Sequence, residues 1–314
     1  MSLKCRIARE QVEVLVQILA ASRAISAYVD VVVDMCGVKI NACKTSPIVQ
    51  YQAVLHGSFF DICSASGEDD LNDDRGDIFW EGSICIASLM EDLSHYLQWS
   101  IADGVLVVFD VVGGNTEAGT EGGRTDRRMQ LTVFMEGLNS TKSIAYKVLE
   151  PRKAVKAAVD VSSYGRPVLI QLRDVQRIAR ILSDKEEDAS GELSLQLRGD
   201  EFVLGMHHSQ TKTRMDFRLP MERSTLPSYI DTRCNAQEFA SCLLVAAALD
   251  RVVTLYLPCE TELPVIIYLK APLETADSYT IHYAVESYME PLDERMERLC
   301  AKLMKPLVPP NARS

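Results

Sequence analysis

Residues 131–160 read LTVFMEGLNSTKSIAYKVLEPRKAVKAAVD. Two segments in this stretch, Leu131–Glu136 and Ser143–Lys147, alternate apolar and polar residues with the period of two expected of half-buried strands. They run into Pro151, which cannot donate to a ladder and so closes the pattern. A basic, weakly apolar connector follows, carrying Arg152, Lys153 and Lys156. The order of elements before this stretch begins again after it. One architectural unit is used twice, with residues 131–160 as the hinge between copies.

Upstream, Leu3–Ile7 alternates like a short strand and leads into a helix from about Arg9 to Ala24. Its apolar stripe is Val12, Leu15, Val16 and Leu19, at helical spacing. The opposite face carries Glu10, Glu13, Gln17 and Ala21. Strands are expected over Tyr28–Asp34, Gly37–Cys43 after a tight turn, and Ile48–His56. Gly67–Asp77 (GEDDLNDDRGD) is an acidic, solvated loop. A strand near Ile78–Gly82 precedes a second helix, where Ser88 and Glu91 have capping-box spacing and Leu89, Leu93, Tyr96 and Leu97 form the stripe. Gly104–Val111 is a strand and Gly113–Arg128 a glycine-rich polar loop.

Downstream, Val168–Leu172 is a strand and Arg173–Ser183 a helix buried through Val175, Ile178 and Leu182. Strands Glu192–Leu197, Glu201–His208 and Lys212–Leu219 follow. A linker, Pro220–Tyr229, leads to the short strand Ile230–Arg233. Asn235 and Glu238 cap a fourth helix with Phe239, Cys242, Leu243 and Ala246 inward. Strands Val252–Leu257, Pro264–Lys270 and Tyr279–Val285 complete the copy. Each strand–helix–three-strand unit is too small to bury its own face, so the units must pack in pairs. The chain divides into a first domain (1–150), a connector (151–164), a second domain (165–285) and a tail (286–314) with a helix expected over Leu292–Met304.

The 314 residues suffice for two domains, each with a core of its own. An apolar fraction of 47% and a charged fraction of 25% are those of a soluble globular protein. Lys4, Arg6, Arg9 and Glu10 interrupt the N-terminus before an apolar run forms. The longest such run, Cys242–Leu249, falls far short of the roughly 20 residues of a membrane helix. A soluble intracellular protein with no membrane partner is expected. The nine cysteines include no CxxC pair, which argues against a zinc site. They are expected to be reduced and to pack as small hydrophobes.

The net charge of −11 is unevenly spread, with 12 Lys/Arg against 21 Asp/Glu in residues 1–150 and 21 against 23 thereafter. That acidity argues against a tight, free-standing nucleic-acid binder but not against a weak local basic face. No catalytic constellation stands out. Val105–Asp110 (VLVVFD) followed by Gly113-Gly114 only loosely imitates a phosphate loop, whose glycines must open onto a helix with a lysine. His207 and His208 are neighbours on a strand and point to opposite faces. His95 lies on the polar face of its helix beside Glu91. No enzyme, metal or cofactor is expected.

Four such units in two domains joined by a connector resemble the plan of the eukaryotic DNA sliding clamps. Gly37-Val38-Lys39-Ile40, then Cys43-Lys44-Thr45-Ser46, then Val49-Gln50-Tyr51-Gln52 looks like the turn, strand, loop and strand of the proliferating cell nuclear antigen family. RVVTLYLP, ELPVIIYL and YTIHYAV (from Arg251, Glu262 and Tyr279) are similar to its closing strands. Closer still is the Hus-type subunit of the heterotrimeric nine-one-one checkpoint clamp. Met1–Ile7 resembles its first strand, and Leu131-Thr132-Val133, Glu136 and Ile144 through Val148-Leu149-Glu150-Pro151-Arg152 resemble the close of its first domain. The chain departs from that pattern in residues 67–77, in residues 113–128 and in the tail.

The resemblance implies an α+β DNA clamp fold: two similar domains, each with two helices on one face of antiparallel sheets. It implies a non-catalytic nuclear scaffold in DNA damage signalling and repair, whose partners are two other clamp-like subunits, double-stranded DNA, a clamp loader, and repair or signalling proteins. In clamps the helices line the hole and touch phosphates, which places Arg173, Gln176, Arg177 and Arg180 toward DNA. Ring closure is implied at Ser143–Lys147 (Ile144, Tyr146, Val148) and at Glu201–His208 (Phe202, Leu204, Met206). A client-peptide groove is implied at Ala42, Cys43, Ile48, Val155 and Val159. The other three helices offer Glu10, Glu13 and Gln17; Glu91, Ser94 and Gln98; and Gln237, Ser241 and Leu244. These faces suit a heterotrimer, whose partners can supply positive charge, better than a homotrimer. A replicative homotrimeric clamp, or an enzyme using the 113–128 loop, are the alternatives.

Overall fold

The computed structural model describes residues 2–34, 36–45, 48–66, 78–98, 102–112, 126–135, 140–151, 163–183, 189–208, 214–220, 229–259, 263–270 and 278–288. The acidic loop, most of the glycine-rich loop, connector residues 152–162 and the tail helix expected over Leu292–Met304 lie outside them.

In the first domain the chain runs β1 (Ser2–Ala8), α1 (Arg9–Arg23), β2 (Tyr28–Asp34), β3 (Gly37–Thr45), β4 (Ile48–Leu55), β5 (Ile62–Ser66), β6 (Ile78–Cys85), α2 (Ile86–Gln98), β7 (Ala102–Val112), β8 (Asp126–Met135) and β9 (Ser140–Tyr146). The second domain runs β10 (Val168–Ile170), α3 (Leu172–Ser183), β11 (Ala189–Arg198), β12 (Glu201–His208), β13 (Arg214–Pro220), β14 (Tyr229–Asn235), α4 (Ala236–Ala248), β15 (Val252–Tyr256), β16 (Val265–Lys270), β17 (Tyr279–Val285) and β18 (Ser287–Tyr288). The expected fourfold order is present, with β5 and β18 as additions the sequence reading did not include. Asp126–Arg128, read from sequence as loop, belong to β8, where Arg128 stands opposite Asp110.

The pairing explains why one unit cannot stand alone. Each unit lends its first strand to the sheet of its neighbour. β1 joins β7, β8 and β9 in a sheet of order β5-β1-β7-β8-β9, while β6 joins β2, β3 and β4. The second domain repeats the exchange: β14 joins β11, β12 and β13, and β10 joins β15, β16 and β17. The two central groups meet through β4 and β17 as one sheet of order β10-β15-β16-β17-β4-β3-β2-β6 that crosses the domain boundary.

The helices cover the same side of these sheets. α1 packs on α2, α3 packs on α4, and α1 touches α4 across the boundary, giving a row α2–α1–α4–α3. α1 buries Val12, Leu15, Ile18 and Leu19, and also Ala21, which the sequence reading placed on the polar face. The α1 stripe is wider than one strand-facing row because the helix has helical neighbours on both sides. Tyr51 of β4 and Tyr283 of β17 meet edge-on at 5.0 Å under this row, with the Tyr51 hydroxyl donating to the Ile18 carbonyl at 3.1 Å. Lys44 and Glu238 form an ion pair from one domain to the other at 2.5 Å.

Local chemistry sets the helix starts. Asn235 caps α4 as its spacing predicts, accepting the Glu238 backbone N–H at 3.1 Å. α2 begins at Ile86, directly after β6, so Ser88 lies inside the helix and does not cap it. The thiol of Cys85 takes that place: the backbone N–H of Ser88 bonds to it and lowers its pKa from the ordinary thiol value. At the other corner of β6, a Cβ on Gly82 would lie 2.3 Å from a Val148 methyl. Only glycine lets the segment leaving β9 cross onto β6, where Ser83 and Leu149 exchange backbone hydrogen bonds of 2.9 Å.

One expectation about cysteine is overturned. Cys5 is disulfide-bonded, and the β1–β5 register puts it opposite Cys63. The unforeseen strand β5 sets that register, which no CxxC count could show. Cys36, Cys43, Cys85, Cys234 and Cys242 are free thiols.

Candidate nucleic-acid interface

α3 is built from good helix formers, with Val175, Ile178 and Ala179 buried beneath it. The 3.6-residue period then leaves Arg173, Gln176, Arg177 and Arg180 exposed together on the other side. Arg180 in the last turn complements the helix dipole and Asp174 does so in the first. Arg173 stands in that same first turn, where a cation costs about 0.3–1 kcal/mol. Helix stability therefore does not account for it. Arg177 leans outward, its guanidinium 5.9 Å from the centre of the Phe217 ring, within cation–π range.

The rest of the row is different. Glu10, Glu13 and Gln17 are exposed on α1, and Glu91, His95 and Gln98 on α2. α4 presents Gln237, Leu244 and Ala248, without charge. Arg9 is held inside the row, its guanidinium donating to the Leu97 carbonyl at 2.6 Å.

Two sheet edges stand open at the ends of the row. β9 has β8 on one side and no strand on the other among the described residues. Ile144 and Tyr146 on its helix-facing side, and Val148 just beyond its end, are half-buried, and the Tyr146 hydroxyl donates to Asp92 of α2 at 2.7 Å. Burial and that carboxylate push the Tyr146 pKa far up.

The expected edge in the second domain is corrected. β12 lies between β11 and β13, so Phe202, Leu204 and Met206 face their own core at 0%, 0% and 6% exposure and meet no neighbour. Among the described residues β13 is the terminal strand next to β12, and its helix-facing residues Met215, Phe217 and Leu219 sit opposite Met206, Leu204 and Phe202. The alternation of β12 and β13 is the same, and only the third strand of the hairpin series reaches the edge. A cleft of about 320 Å³ separates β13 from α3, lined by Ile178, Ile181, Met215, Phe217 and Arg177 among others.

The expected peptide groove is partly displaced. Ala42 is 5% exposed and points to the helices with Val38 and Ile40, so it cannot line an outer groove. Cys43 and Ile48 face outward, Ile48 with 47% of its surface exposed. Val155 and Val159 lie outside the described residues. The connector is pinned at both ends, by Ser83 and Leu149 on β6 and by the Tyr164–Pro258 bridge beside β15. At the second anchor an outer-face cluster of Tyr164, Ile266 and Ala284 packs with Tyr256, Leu263 and Tyr268. Sequence reasoning missed it. The signal was present: Val265, Ile266 and Ile267 are consecutive apolar residues, the mark of a strand covered on both faces.

No family model and no curated protein matches the chain. Solved structures do. The complex of PCNA2 and PCNA3 from Sulfolobus tokodaii aligns with a TM-score of 0.61 at 7% identity, over 90% of this chain and 98% of that one. PCNA from Thermococcus kodakaraensis aligns with a TM-score of 0.61 at 10% identity, over 90% and 98%. Proliferating Cellular Nuclear Antigen from Entamoeba histolytica aligns with a TM-score of 0.64 at 10% identity, over 91% and 99%. Taken with the exchanged first strands, the helix row and the sheet joining both domains, these alignments identify the chain's architecture as the DNA sliding clamp fold.

Proposed function

We propose that the chain is a non-catalytic subunit of a heterotrimeric, DNA-encircling checkpoint clamp of the Hus-like, nine-one-one type. It acts in the nucleus as a scaffold for DNA damage signalling and repair. Two other clamp-like chains close the ring through β9 and β13, a loader places it on double-stranded DNA, and no cofactor is required. The observation that carries the reading is the distribution of charge on the helix row. Of the four helices among the described residues only α3 offers a basic face, while α1 and α2 expose Glu10, Glu13 and Glu91. Three copies of this chain would line a hole with carboxylates six helices out of twelve. Foreign partners can bring the missing cations, since phosphate contacts supply affinity without sequence.

The edges support the same reading. Apolar residues on the helix-facing side of β9 and of β13 leave each edge ready to continue a core across a junction. Co-purification of the tagged chain from native extract is the test. Two clamp-like partners of similar size are expected, with the isolated chain monomeric by size exclusion. A stable trimer of the chain alone would replace this reading with that of a homotrimeric processivity factor.

A further inference from the structure

We infer that the duplex is engaged from one side, by the second domain alone, and that the helices of the first domain repel it. This rests on the reading of the helix row as the DNA-facing wall. The row runs α2–α1–α4–α3, so the helices bearing exposed carboxylates and the helix bearing exposed guanidinium groups stand at opposite ends. Between them lies α4, whose exposed Gln237, Leu244 and Ala248 are neutral. Two cations beside the row are held elsewhere, Arg9 by the Leu97 carbonyl and Lys44 by Glu238, while Arg23 stands exposed in the last turn of α1.

Magnitudes decide that the two ends act separately. Packed helices lie about 8–10 Å apart. α1 and α3, with α4 between them, are then roughly 16–20 Å apart, against a screening length of about 8 Å at physiological salt. The carboxylates of α1 therefore do little to weaken what α3 holds, yet they disfavour phosphates within their own reach. On α3, Arg173 to Arg180 spans about 10 Å of helix at 1.5 Å per residue. Three phosphate intervals of one strand also advance about 10 Å along the duplex axis. One helix can thus touch one strand backbone at neighbouring phosphates, with Asp174 and Asp216 lining the cleft beside Arg177. A contact of this kind is shallow and readily exchanged, as movement along DNA requires.

The test uses the full chain with a short duplex at low salt and a photo-crosslinking residue at exposed Gln176 on α3 or at exposed Gln17 on α1. Cross-links are expected from position 176 and not from position 17. Glu10→Lys with Glu13→Lys should bring cross-links to position 17 and tighten binding at least several-fold. Replacing Arg173, Arg177 and Arg180 with Gln should abolish the cross-links at 176 and lower the slope of log affinity against log salt by about 3. Equal cross-linking from 17 and 176 in the otherwise unaltered chain overturns one-sided engagement while leaving the DNA-facing wall intact. Silence at both positions, persisting in the lysine variant, removes the wall as a DNA face and this inference with it.

Discussion

Tyr51 and Tyr283 occupy one buried contact between the domains, yet their hydroxyls differ. That of Tyr51 donates to the Ile18 carbonyl, whereas that of Tyr283 is buried without a hydrogen-bond partner among the described residues. Burial drives both pKa values far up, so neither ionises in ordinary buffers. Tyr51→Phe is expected to cost about 1 kcal/mol, and Tyr283→Phe to be neutral or stabilising by about 1 kcal/mol, in denaturant midpoints. The opposite ranking would mean that the Tyr283 hydroxyl has a partner after all. Residue-level reading from sequence succeeded where one period governs, as for Val175 and Ile178 against the arginines of α3. It failed at Ser88, because capping-box spacing looks the same whether a helix starts there or two residues earlier. It failed again at Ala42, whose strand parity was legible but whose outward or inward sense was not.

Among the elements, β13 is the one whose place changes the functional argument. Its helix-facing residues are only half covered: Met215 is 40% exposed and lies on the cleft beside α3. A lysine there can reach solvent in the isolated chain, so Met215→Lys should change stability by no more than about 0.5 kcal/mol. In an assembled ring the same lysine would be trapped in an apolar junction, and recovery of partner chains should fall sharply. Thermal melting and co-purification yield measure the two halves. Undiminished recovery would show that β13 is not a ring edge. Nothing in the alternation of Phe202, Leu204 and Met206 distinguishes a central strand from an edge strand. Edge status is a property of the neighbour, and that depends on which strands a sheet recruits from other units.

For the molecule as a whole, the sheet shared through β4 and β17 makes the domains one structural body, reinforced by α1 against α4 and by Lys44 with Glu238. Unfolding is therefore expected to be a single transition. Both tryptophans, Trp80 and Trp99, lie before residue 150, and Trp80 is buried against Phe109 at 5.0 Å. Their fluorescence reports the first domain, while far-ultraviolet circular dichroism reports both. The two curves should coincide in urea. A first fluorescence transition followed by a separate loss of ellipticity would show that the shared sheet does not couple the halves.

The sequence by itself determined the repeated order of strands and helices, most of the buried stripe of each helix and the exposed arginines of α3. These depend on periods of 2 and 3.6 and on composition, which act over a few residues. The tertiary structure decided that units exchange their first strands, that β13 and not β12 is the open edge, and that Cys5 enters a disulfide. It also placed the acidic and basic helices at opposite ends of one row. These are matters of which distant segments become neighbours, and hydrophobic burial drives that association without naming the partner.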